Sequence, residues 1–172
     1  VSLSIIVVML LSSTVYAVQE QHLVLYLPFD EGEGTTVKDV SGGNLKGTFV
    51  GDPTWVDGKF GTALKFDGVD DYVEVKRNAR IEPAKEISLA AWVKLNTNTG
   101  NYEVARKQLP NGNGYDMRIQ NGVLHWWVRI GPWTNANYPK KLDTDKWIFL
   151  TGTYDGNDII IYVDGEKVAT TK

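Results

Sequence analysis

The chain has 172 residues, the size of one domain. Lys and Arg number 18 against 21 Asp and Glu, so the net charge is −3, with neither a basic footprint for nucleic acid nor a polyanionic tail. Hydrophobic residues at 42% and charged residues at 23% exclude a disordered chain, and the lack of cysteine excludes disulfides and thiolate zinc sites.

The chain opens on an apolar run, Leu3 to Leu11, followed by Ser12, Ser13 and Thr14 and then Val15-Tyr16-Ala17. A short apolar core before small residues reads as a secretory signal peptide, residues 1–17, cleaved after Ala17. The run is too short to span a bilayer, which takes roughly 20 residues, so no membrane span is expected after cleavage. The basic start of such a leader is missing, since no Lys or Arg precedes Lys38. The alternative is that the apolar run is a buried strand. An export signal without cysteine suggests a bacterial protein that is secreted or displayed on the cell surface.

Residues 18–172 read as one all-β domain. No window shows sustained apolar spacing at three and four, whereas short β-rich runs recur between Gly, Asn and Asp clusters. The predicted strands are 23–29, 63–67, 71–75, 87–95, 102–108, 114–120, 123–130, 147–153, 159–163 and 167–171. Asn121-Gly122 and Asp164-Gly165 are tight hairpin signals, because both turn positions need φ > 0. Many short strands at this spacing imply an antiparallel sandwich or barrel.

Alternation orients several strands. In 123–130, Leu124, Trp126, Val128 and Ile130 should face the core, and Val123, His125, Trp127 and Arg129 should face outward. In 114–120, Asp116, Arg118 and Gln120 share the face opposite Tyr115, Met117 and Ile119. Pairing the two strands predicts one outward surface of Asp116, Arg118, His125, Trp127 and Arg129. Strand 102–108 should join it and add Arg106 or Lys107. Segment 131–138 reads as a polar loop carrying Trp133, Asn135, Asn137 and Tyr138. Trp55, Trp92, Trp126 and Trp147 are assigned to the core, where buried rings are a main source of stability.

Five stretches, in order, resemble the laminin-G-like jelly roll of the concanavalin A-like lectin/glucanase superfamily. They are Leu27 to Gly34; Asp39-Val40-Ser41-Gly42-Gly43-Asn44; Gly58 to Gly68 with Asp70-Asp71-Tyr72-Val73; Ile87 to Lys94 with Trp92; and Trp147 with Thr153-Tyr154-Asp155-Gly156 and Ile161 to Gly165. The resemblance implies an antiparallel two-sheet jelly-roll sandwich. Members usually continue past the last of these stretches, so the domain is expected to be incomplete at its C-terminal end.

The chemistry is read as binding rather than catalysis. Glycoside hydrolysis needs two positioned carboxylates, about 5–9.5 Å apart. Related glucanases carry E-x-D-x-x-E, which is absent; Glu31 and Glu33 lie in a Gly-rich turn, and the adjacent Asp70 and Asp71 would face opposite ways on a strand. No G-x-S-x-G occurs, and His22 and His125 are the only histidines. Asp39 and Asn44, with carbonyls of residues 41–43, could supply part of a structural Ca²⁺ shell, which the resemblance also implies; the alternative is an Asx-turn at Asp39. Asp67, Asp70 and Asp71 are read as turn formers.

Sugars present apolar CH faces and many hydroxyls. An aromatic plane beside polar side chains suits them, and Asp116, Arg118, His125, Trp127, Arg129 and Trp133 offer both. The expected function is a non-catalytic glycan-binding or adhesion module of a larger exported protein. Its partners would be a glycan or a cell-surface or extracellular protein. Two rivals share the fold: a protein-binding or structural module without a sugar site, and an accessory domain of a glycoside hydrolase.

Overall fold

The computed structural model describes residues 3–6, 22–82, 85–129 and 133–172, with residues 3–6 described by their backbone alone. Among the described residues, fourteen strands form three antiparallel sheets. The first sheet has the order β14 (Glu166–Thr171), β13 (Ile159–Val163), β12 (Trp147–Tyr154), β7 (Ile87–Leu95), β1 (Leu3–Ile6), β5 (Thr62–Phe66), β4 (Thr54–Asp57). The second has β11 (Trp133–Lys141), β10 (Val123–Arg129), β9 (Gly114–Gln120) and β8 (Asn101–Gln108). The third has β2 (Thr36–Lys38), β3 (Lys46–Val50) and β6 (Tyr72–Val75).

Two layers result. Phe66 of β5 and Leu95 of β7 both stand opposite position 3 of β1, so they share one face of the seven-stranded sheet. That face carries two clusters. The larger packs Ala91, Val93, Leu150, Ile159 and Ile161 against Met117, Ile119, Leu124, Trp126 and Val128 of the four-stranded sheet. The smaller packs Leu64 and Phe66 against Leu27, Phe29 and Val37, with Phe49, Trp55, Val73 and Val75 at its margin. The four- and three-stranded sheets therefore cover different parts of one face, as in a jelly roll.

Trp126 anchors the larger cluster. Its ring is fully buried, and its Nε1–H donates to the Thr153 carbonyl at 3.2 Å. The facing residue on β12 is Gly152, and a Cβ there would lie 2.6 Å from the ring. A glycine is required by this close approach rather than by any turn. The two expected hairpins form with the backbone their residues favour: Asn121 and Gly122 have φ of 50° and 84°, Asp164 and Gly165 of 51° and 84°.

Four sequence readings change. Segment 23–29 alternates like a strand but joins no sheet. Pro28 has no N–H to donate and Phe29 sits at φ 60°. The segment is tied instead through Tyr26, whose N–H donates to Asp39 Oδ1 at 3.0 Å and whose carbonyl accepts from the Val40 N–H at 2.9 Å. Residues 133–138 are not a loop, since Trp133–Lys141 forms the edge strand β11; 131 and 132, like the expected inward Ile130, lie outside the described residues. Trp92 and Trp147 lie on the face of the seven-stranded sheet away from the core, because Ala91, Val93 and Ile148 take the inward positions. Trp55 is half-buried at the margin of the smaller cluster.

The apolar run at the start also gains a position. The backbone of Leu3–Ile6 pairs with β5 on one side and β7 on the other. The expected cleavage point after Ala17 lies outside the described residues.

The Trp126–Gly152 contact yields a stability test. Gly152→Ala forces a methyl into the indole and should cost about 1–3 kcal/mol. Urea denaturation should show a lower midpoint with an unchanged slope.

Candidate functional site

The outer face of the four-stranded sheet follows from the parity that Trp126 sets. With Leu124, Trp126 and Val128 buried, His125, Trp127 and Arg129 stand on the other side. Strand register then lays three rows across β8, β9, β10 and β11. They run Glu103–Arg118–His125–Asn137, then Arg106–Asp116–Trp127–Asn135, then Gln108–Gly114–Arg129–Trp133.

The first two rows depend on a β-bulge. Residues 103 and 106 would fall on opposite faces of a regular strand. Register shifts between Glu103 and Ala105, and Val104 tucks into the core, so Glu103 and Arg106 share the outer face. Lys107, the other candidate on this strand, stands opposite the inward Tyr115.

A charged network covers one half of the face. Arg106 Nη1 donates to Glu103 Oε1 at 2.8 Å, and its Nη2 donates to Gln108 Oε1 at 3.2 Å. Arg118 pairs with Asp116 and lies 3.9 Å from the same Glu103 oxygen. The Asp116 carboxylate, helped by Glu103, holds the Arg118 guanidinium above its ordinary value. Asp116 points outward by parity, as expected, yet it is only 3% exposed. Its Oδ1 and the Arg118 Nε are buried without a hydrogen-bond partner. Such groups cost roughly 1–3 kcal/mol each, and native proteins keep few of them.

The other half is aromatic and amide-rich. Trp127 is half-buried and Trp133 is 46% exposed; their rings meet edge to face with centroids 6.2 Å apart. The Arg129 guanidinium lies over the Trp133 ring at 5.6 Å. His125 Nδ1–H donates to Asn137 Oδ1 at 2.7 Å, and Asn135 Nδ2 donates to the same oxygen at 3.0 Å. With Nδ1 protonated, the neutral His125 ring keeps Nε2 as an acceptor.

All six sequence-predicted ligand residues therefore meet on one surface: Asp116, Arg118, His125, Trp127, Arg129 and Trp133. Residues 67–172 match a laminin G family model described as the concanavalin A-like lectin/glucanases superfamily. The chain belongs to this laminin G family.

Solved structures agree in fold. The binding domain of Paraclostridial Mosquitocidal Protein 1 matches with a TM-score of 0.71 and 19% identity, over 89% of this chain and 41% of that one. The binding domain of botulinum neurotoxin DC, solved in complex with rat synaptotagmin II, gives 0.69 and 20%, over 89% and 40%. Domain 4 of an extracellular arabinanase from Geobacillus stearothermophilus, solved with arabinotriose, gives 0.62 and 19%, over 78% and 69%. The chain thus spans about two fifths of the toxin binding domains. No curated protein matches its sequence.

The laminin G domain has a second predicted site, the Asp39–Asn44 loop. There Asp39 Oδ1 accepts the N–H groups of Tyr26 and Ser41 at 3.0 and 2.9 Å, and Oδ2 accepts that of Leu45 at 3.3 Å. Asn44 is exposed at φ 53°. A carboxylate so engaged with N–H donors is used as a turn staple. This is the Asx-turn geometry of the alternative reading; with Asn44 and the carbonyls of residues 41–43 the carboxylate supplies only part of the six to eight oxygens of a Ca²⁺ shell. Asp67, Asp70 and Asp71 converge within 4.8 Å, but Asp67 Oδ1 accepts from Val69 and Asp70, and Asp71 accepts from Asp52 and Asp67.

Burial would raise the Asp39 carboxyl, but the Ser41 side chain and the Tyr26, Ser41 and Leu45 N–H groups outweigh it and hold the group below its ordinary 3.8. A carboxyl lowered by folding stabilises the fold above its unfolded value and loses that contribution as pH falls through the folded one. Asp39→Asn should therefore cost about 1 kcal/mol at pH 6, and the deficit should shrink as pH drops below 3.8. Parallel denaturation curves of the two proteins between pH 6 and 2.5 check this.

Proposed function

We propose that this laminin G domain is a non-catalytic glycan-binding module of an exported protein, with its site on the outer face of the four-stranded sheet. The observation that carries the reading is the pairing of an aromatic corner, Trp127 against Trp133, with a row of amide, imidazole and carboxylate groups beside it. The indole corner suits the CH face of a sugar ring. His125 Nε2 and the free groups of Asn135 and Asn137 suit its hydroxyls. Binding sites combine an apolar platform with a few placed polar groups in this way.

The absence of catalysis has its own support. Hydrolysis needs one carboxyl to give a proton and a second to attack or to activate water. On this face, among the described residues, Glu103 and Asp116 are the carboxylates, and each is committed to a guanidinium. Neither is placed as a free acid or base. Export and attachment to a larger protein are carried by the reading of residues 1–17 as a leader; because Leu3–Ile6 pair with β5 and β7, cleavage after Ala17 would remove strand β1 from the seven-stranded sheet.

The test is a glycan array probed with the chain and with Trp127→Ala, each in Ca²⁺ and in chelator. Saturable binding should fall at least tenfold in Trp127→Ala and stay unchanged in chelator. A flat array from folded protein would remove the glycan reading and favour the protein-binding rival. Loss of signal in chelator alone would put Ca²⁺ into the site.

A further inference from the structure

The three guanidiniums of the face are not equivalent. Arg106 is paired with Glu103 and Arg118 with Asp116. Arg129 pairs with no carboxylate among the described residues. It is nonetheless held in place. One side rests over the Trp133 ring at 5.6 Å, and the other abuts the turn between β8 and β9, where a Cβ on Gly112 would lie 2.9 Å from Nη1. Gly112 also has φ 84°, so a larger residue there is doubly disfavoured. The face bears three Arg, and Lys141 opposite the outward Val123, against Glu103 and Asp116, a local excess of two positive charges on a chain of net charge −3.

A half-buried guanidinium packed between an aromatic ring and a turn, with no carboxylate partner among the described residues, is a preorganised oxyanion receptor. Its planar fork matches a carboxylate or sulfate bidentately, which a mobile surface lysine does not. Preorganisation also lowers the ordering cost of binding. We propose that the module selects acidic saccharides, with Arg129 taking the oxyanion while a sugar ring lies on Trp127 and Trp133. This deepens the glycan-binding reading and rests on it.

The experiment uses the whole chain and matched sugar pairs that differ only in charge. Trigalacturonate is compared with its methyl ester, sialyllactose with lactose, and sulfated lactose with lactose, by calorimetry at low and moderate salt. At least one acidic member should bind tenfold or more tighter than its neutral partner, with the gap narrowing as salt rises. The carboxylate and sulfate arms tell which oxyanion is preferred. Arg129→Gln should abolish the preference, bringing the acidic and neutral members of each pair to within about twofold of each other, whatever it does to their common affinity. Equal affinity within every pair would overturn the acidic selectivity and leave the glycan module standing. Binding to neither member of any pair, with folded protein, would overturn both. Should Arg129→Gln fail to fold, the wild-type acid and ester pair still decides, because it needs no variant.

Discussion

The fold and the face both depend on one contact, the Trp126 indole pressed onto the bare backbone of Gly152. A β-strand offers two faces with a period of two, and a slip of one residue exchanges them. Trp127 is as large, so the parity is set by the whole alternation, Leu124, Trp126 and Val128 inward against His125 and Arg129 outward, with the bare Gly152 backbone leaving the room that the Trp126 indole fills. Once it is seated, β10 has no freedom of register. His125, Trp127 and Arg129 are then outward, and their cross-strand partners on β9 and β11 follow through the hydrogen-bond ladder. The binding face is thus a consequence of how the core is filled.

Much of this was legible in the sequence, for reasons that can be named. Alternation in 114–120 and 123–130 is regular, and both strands are long and central enough for parity to dominate. Asn121-Gly122 and Asp164-Gly165 announce their turns because few other pairs adopt φ > 0 at both positions. What was missed has physical causes too. Strand β11 hides behind Asn135, Asn137 and Pro139, which an edge strand tolerates because one side of it needs no partner. The bulge at Val104 leaves no mark in composition, so Glu103 and Arg106 could not be assigned to a common face. Trp92 reads as core because Ala90, Ala91 and Val93 beside it are apolar, although Lys94 shares its strand face. In the structure it lies on the far side of β7, against Phe149, Phe60 and the Lys59 ammonium.

The division of labour between the sheets bears on function. The seven-stranded sheet carries apolar residues on both faces of its central strands β7 and β12 and supplies the floor. The four-stranded sheet carries most of its polar chemistry on the single face left over. Membership of the laminin G family accounts for this architecture but does not select a ligand, since one sandwich supports many binding roles. The ligand must be argued from the side chains: a perpendicular indole pair, an incompletely satisfied carboxylate, and an arginine that pairs with no carboxylate among the described residues.

The most direct test of the central claim distinguishes the six tryptophans by position. In nitrogen-labelled protein each indole N–H gives its own resonance, assignable by single Trp→Phe replacements. During titration with a glycan that the chain binds, the account predicts that Trp127 and Trp133 shift while Trp126, Trp92 and Trp147 stay still. Shifts confined to Trp92 and Trp147 would place the site on the opposite sheet and contradict it.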